Sequence, residues 1–91
     1  MSSIENVEIR IVFTCNSTNP NEKAKLVGSL PILGNWIPSK GIDLLTDPTS
    51  YPEWTATIFL PARSTVEYKY VIVKSDTGEL VRWESLGIIS N

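Results

Sequence analysis

The chain contains no histidine and only one cysteine, Cys15. Without histidine, a Ser/His/Asp triad, a Cys/His dyad and His-ligated zinc are all excluded within these residues. With one cysteine there is no internal disulfide, and Cys15 reads as a small buried hydrophobe. An excess of positive charge is also missing. Eight Lys+Arg stand against ten Asp+Glu, a formal net charge of −2. That is not the footprint of a nucleic-acid binder. No apolar run approaches the ~20 residues of a membrane-spanning helix, and the polar N-terminus has no signal-peptide core. Neither nucleic acid nor membrane is therefore an expected partner, and no metal or cofactor is expected. An intracellular setting is, cytoplasmic or plastid. A chain of 91 residues supports a single modest core. Residues 1–91 are expected to be one domain, the N-terminal piece of a longer protein.

What the chain does have is β-pattern. Val7 to Phe13 alternates, with Val7, Ile9, Ile11 and Phe13 on one face and Cys15 continuing it. Asn16 to Glu22 is dense in turn formers. Ala24 to Gly28 reads as a second strand, with Lys23 and Lys25 on an exposed edge. From Ser29 to Gly41, Pro31, Gly34, Pro38 and Gly41 punctuate too closely for more than one helical turn. Ile42 to Leu45 is a short strand and Thr46 to Pro52 a loop. Trp54 to Leu60 and Thr65 to Lys74 are longer strands. The second carries Val66, Tyr68 and Tyr70 on one face and Glu67, Lys69 and Val71 on the other. Ser75 to Glu79 is a hairpin turn leading to Leu80–Glu84. Ile88 and Ile89 lie in a tail that could begin one more strand. Six or seven short antiparallel strands imply an all-β sandwich or open barrel.

It also has three tryptophans. Trp36 sits on a loop, within Leu33-Gly34-Asn35-Trp36-Ile37-Pro38. Trp83 lies on a hairpin strand and is expected to face away from Val81 and the core that Val81 serves. Trp54 opens a strand. Each ring suits either core packing or a surface role. A surface indole suits flat aromatics, cations, bases or the C–H faces of sugars, and the acidic balance disfavours bases. Asp43 with Asp47, or Glu79 with Glu84, are conceivable glycosidase pairs. A domain this small rarely forms the deep cleft such a pair needs, so they read as solvated surface acids.

Five blocks, in order and spacing, carry a family resemblance. They are Leu26-Val27-Gly28-Ser29-Leu30-Pro31-Ile32-Leu33-Gly34-Asn35-Trp36, Tyr51-Pro52-Glu53-Trp54, Leu60-Pro61-Ala62, Val66-Glu67-Tyr68-Lys69-Tyr70 and Val81-Arg82-Trp83-Glu84-Ser85. The resemblance covers roughly Val7 to Ser85. This pattern resembles the starch-binding domains, carbohydrate-binding module family 20. The resemblance implies an immunoglobulin-like antiparallel β-sandwich, and the last strand is expected to be incomplete. It implies non-catalytic binding of α-1,4-glucans (starch, glycogen, maltodextrin or shorter maltooligosaccharides) that targets a covalently linked downstream domain to the polysaccharide.

By the same resemblance, a first site is formed by Trp36, Trp83, Lys69 and Glu84. The family also places an Asn shortly after Trp-Glu-Ser. Leu86-Gly87-Ile88 stands there instead, which leaves Asn91 as the candidate. The family's second site uses tyrosines where this sequence has Lys25 and Asp47. Only Trp54, with nearby Tyr51, remains to form it. These departures motivate an alternative: a related sandwich that acts as a protein-interaction or regulatory module, its glucan site weakened.

Overall fold

A computed structural model describes residues 5–90, Ser85 by its backbone alone. It is an antiparallel β-sandwich of six strands: β1 (Asn6–Thr14), β2 (Glu22–Gly28), β3 (Ile42–Asp43), β4 (Glu53–Pro61), β5 (Thr65–Lys74) and β6 (Leu80–Ser90). One layer is the pair β1-β4; the other has the order β3-β2-β5-β6. Alternation explains which residues meet between the layers. Ile9, Ile11 and Phe13 of β1 stand opposite Ile58, Ala56 and Trp54 of β4. They face Ala24, Leu26, Val66, Tyr70 and Ile72 of the second layer. Phe13 and Tyr70 stack across the core, ring centroids 4.0 Å apart. Removing each such aliphatic side chain from water contributes about 1.5–3 kcal/mol. Cys15 is buried in this cluster, as expected. Val7, at the open end of β1, stays partly exposed.

The second layer also buries residues on its outer face. Val27, Val71 and Val73 form a small cluster there, all fully buried. Strand β2 is consequently not an edge. It lies between β3 and β5, and Lys25 is only 8% exposed. Its Nζ lies 3.6 Å from an Asp43 carboxylate oxygen, which Lys23 also approaches at 3.3 Å. The exposed-edge reading of Lys25 is thus corrected: β3 covers β2 and supplies the counter-charge that a buried ammonium requires.

Two further corrections concern β6. Its tail does not begin a new strand. It continues along β5 until Ser90 pairs with Thr65, because β5 is long enough to offer partners throughout. Val81 does not serve the core either. Ile72 pairs with Arg82 and Val73 with Leu80, so Val81 is the extra residue of a bulge and is exposed. In an unbroken strand Val81 and Trp83 would share a face; the bulge removes that constraint. The short strand expected over Ile42–Leu45 is a two-residue strand followed by Leu45, which bridges to Thr55 and ties the layers together.

Candidate functional site

A groove of ≈ 480 Å³ lies on the outer face of the four-stranded layer, lined by Trp36, Glu67, Lys69, Trp83 and Leu86. Its residues come from three places in the chain: the segment after β2, the middle of β5 and the middle of β6.

Trp36 is placed by an unusual backbone. Pro31–Trp36 is a broken pair of 3-10 turns rather than a helix. Leu33 is buried in the main core, which anchors the segment. Gly34, Asn35 and Trp36 then follow one another with φ of 81°, 49° and 69°. Gly34 suits this conformation, and a Cβ there would come within 2.6 Å of the Lys40 carbonyl carbon. Asn tolerates it better than most residues. For the bulky Trp36 it is strained, at a typical cost of about 1–3 kcal/mol. The surrounding turns hold it: the Ile37 N–H donates to the Gly34 carbonyl at 2.9 Å and the Lys40 N–H to that of Ile37 at 2.9 Å. The result is an indole 37% exposed over the sheet.

Trp83 is placed by register. It stands opposite Val71, on the face of the small valine cluster, and is 41% exposed. Between Lys69/Leu86 and Val71/Trp83 the pairing shifts, so β6 holds one residue more than β5. That bulge turns Leu86 to the same face as Trp83, although their spacing of three would place them on opposite faces of a regular strand. Lys69 occupies the β5 position opposite Leu86, two residues from Val71. Its Nζ lies 5.6 Å from the centroid of the Trp83 ring, within the range of a cation–π contact.

Three of the residues expected at the first site, Trp36, Lys69 and Trp83, therefore come together. Glu84 does not join them. Arg82 and Glu84 flank Trp83 and point to the opposite side of β6. The Arg82 Nε donates to a Glu84 carboxylate oxygen at 3.3 Å, and its guanidinium also reaches Ser17. Asn91 lies outside the described residues. Glu67 and Leu86 were not singled out from the sequence. Glu67 shares a face with Lys69 by alternation alone, a signal that was available. Leu86 depends on the bulge, which the sequence does not announce.

The second-site residues do not form a pair of exposed rings. Trp54 is a core residue, 6% exposed, and its Nε1–H donates to the Cys15 carbonyl at 3.2 Å. Inward alternation from Phe13 sets this direction. Tyr51 is exposed on the preceding loop. That loop is organised by Asp47, whose Oδ1 accepts from the Thr49 hydroxyl and from the N–H groups of Thr49 and Ser50. Those bonds, the Thr49 hydroxyl foremost, lower the Asp47 carboxyl to about 2. Asp47 is thus a turn-former, and Asp43 a counter-ion. Among the described residues no group of three or more His, Cys, Asp or Glu could hold a metal, and no helix is long and apolar enough to cross a membrane.

A family model described as starch binding domain matches residues 8–88. A glucoamylase of Neurospora crassa is 41% identical over 71 residues, covering 76% of this chain and 11% of that protein. A glucan 1,4-alpha-maltotetraohydrolase of Roseateles saccharophilus is 37% identical over 82 residues, covering 87% of this chain and 15% of the relative. The chain thus spans less than a fifth of the length of either relative. The solved family 20 carbohydrate-binding module of a maltotetraose-forming amylase from Pseudomonas saccharophila superposes with a TM-score of 0.82 at 28% identity, over 93% of this chain and 90% of that one.

Proposed function

The chain belongs to the starch-binding domain family, a family of non-catalytic α-glucan binders; from that premise we propose that it holds an α-1,4-glucan chain in the groove between Trp36 and Trp83. The observation that carries this assignment is the convergence of two exposed indoles and the Lys69 ammonium on one outer sheet face. Each indole offers a flat apolar surface to the C–H face of a glucose ring, and burial of those faces drives association. Lys69 donates to sugar hydroxyls and fixes the register of the chain, as a few polar groups do in an otherwise apolar site. Two rings carried by different elements suit a curved, helical glucan better than a flat β-linked one. The groove is shallow, so binding is weak to moderate.

The physiological ligand in this reading is starch, glycogen or the maltooligosaccharides derived from them. The module brings a covalently linked domain to that polysaccharide. The intracellular setting belongs to the same proposal, and its support is the single unpaired, buried Cys15. The exposure of both site tryptophans speaks against the alternative of a protein-interaction module that has lost its ligand surface.

Tryptophan fluorescence or calorimetry with maltoheptaose or β-cyclodextrin tests the proposal, with cellohexaose as control. A saturable response to the α-glucans alone is expected. No response at millimolar ligand would overturn it.

A further inference from the structure

Beyond Trp83, the outer face continues. Leu86 stands directly opposite Lys69, and Ile88 opposite Glu67. Leu86 is 54% exposed, and with Glu67 it closes the far side of the groove. Each step of two residues along β5 is about 7 Å, so the Leu86–Glu67 end lies one to two such steps beyond Trp83, outside the footprint of a sugar stacked on that ring. Both residues are held in place. The Glu67 N–H donates to the Ser29 hydroxyl at 3.2 Å, and its carbonyl accepts from the Ser29 N–H at 3.0 Å. On the other side of β6, Gly87 lies against the Tyr68 ring so closely that a Cβ would sit 2.4 Å from it. The close fit of Gly87 beneath Tyr68 keeps β6 flat against β5 while Leu86 and Ile88 face outward.

We propose that Leu86 and Glu67 form an additional subsite of this groove, which takes the glucose unit following those stacked on the two indoles and makes the site read glucan length. The inference rests on the glucan-binding reading given above. Leu86 supplies an apolar contact to the C–H groups of that unit. The Glu67 carboxylate accepts from one of its hydroxyls, complementing the donor Lys69 two residues away. A patch of this composition, one apolar side chain beside one acceptor, does not hold a free sugar by itself. It adds affinity only to a chain already seated on Trp36 and Trp83. Short maltooligosaccharides therefore leave it empty, and longer ones engage it.

The test compares maltose with maltoheptaose by calorimetry on the 91-residue chain and on its Leu86→Ser and Glu67→Gln variants. Both positions are solvent-facing, and thermal melts establish that each variant is folded. The unaltered chain should bind maltoheptaose more tightly than maltose. Each variant should lose about three- to tenfold in affinity for maltoheptaose and change little for maltose, whereas Leu86→Met should keep the affinity of the unaltered chain. If both variants bind both sugars like the unaltered chain, the subsite is refuted and the two-ring site stands. Equal losses for short and long sugars refute it too, because the residues would then act by placing Trp83. If the unaltered chain binds neither sugar, the glucan reading fails and this inference falls with it.

Discussion

Replacement of Trp83 by alanine removes one stacking surface while leaving Lys69 and Trp36 in place. The indole is 41% exposed in the free protein. For a side chain of up to ~250 Å² that leaves roughly 100 Å² available to a ligand. A glucose ring covering half of it, and losing a similar apolar area of its own, removes about 100 Å² from water. At ~25 cal/mol per Å² this is about 2.5 kcal/mol, an upper value because the sugar face is not wholly apolar. A loss of ten- to fiftyfold in affinity for maltoheptaose follows. The same substitution uncovers Val71, directly opposite and fully buried, so a destabilisation of about 1–2 kcal/mol is expected alongside. Titration calorimetry well below the melting temperature separates the two effects. Trp36→Gly provides an independent check. It deletes the other ring and relieves the positive-φ strain, so it should lower maltoheptaose affinity by a similar factor without loss of stability. Undiminished maltoheptaose affinity in both variants would refute the stacking argument.

Gly34→Ala should destabilise the fold by about 2 kcal/mol or more, read as a lowered denaturation midpoint, because its φ is 81° and a Cβ meets the Lys40 carbonyl. Glucan affinity should fall with it, since Trp36 hangs on that turn. Glu84→Gln should leave maltoheptaose affinity within about twofold and cost no more than about 1 kcal/mol of stability. Its carboxylate is committed to Arg82 on the far side of β6, and such surface pairs contribute little. Asp47 sets an acid limit. Its carboxyl is lowered from 3.8 to about 2 by the Thr49 and Ser50 bonds, so the folded state favours the charged form more than the unfolded chain does. The resulting stability is complete above about pH 4 and is lost as pH falls toward 2. Denaturant melts between pH 5 and pH 2 should show a shallower acid decline for Asp47→Asn than for the unaltered chain.

Much of the fold was legible in the sequence because strand alternation and turn residues are local signals. The faces of β1, β4 and β5 follow from period two, and Asn16–Asn21, Pro61–Ser64 and Ser75–Glu79 fall where turn formers cluster. What misled was context. Lys25 reads as an exposed lysine, and only the addition of β3 as a neighbour buries it beside Asp43. Trp54 sits at a strand start, next to a loop, and only pairing with Phe13 shows its ring to be inside. Glu84 follows a site tryptophan in sequence but leaves the groove, because adjacent residues of a strand face opposite ways.

The sequence by itself determined the β-class, the exclusion of His-based chemistry and the pairing of Trp36, Lys69 and Trp83 through a family pattern. The first two depend on residue identity and short-range spacing alone; the third rests on the family resemblance. Only the tertiary structure decided which rings are free and that Leu86 stands inside the groove beside Trp83. The physical reason is register: two bulges in β6 each insert one residue against β5. Every such insertion reverses which side chains reach the outer face, and no local signal in Leu80–Ser90 sets where the insertions fall.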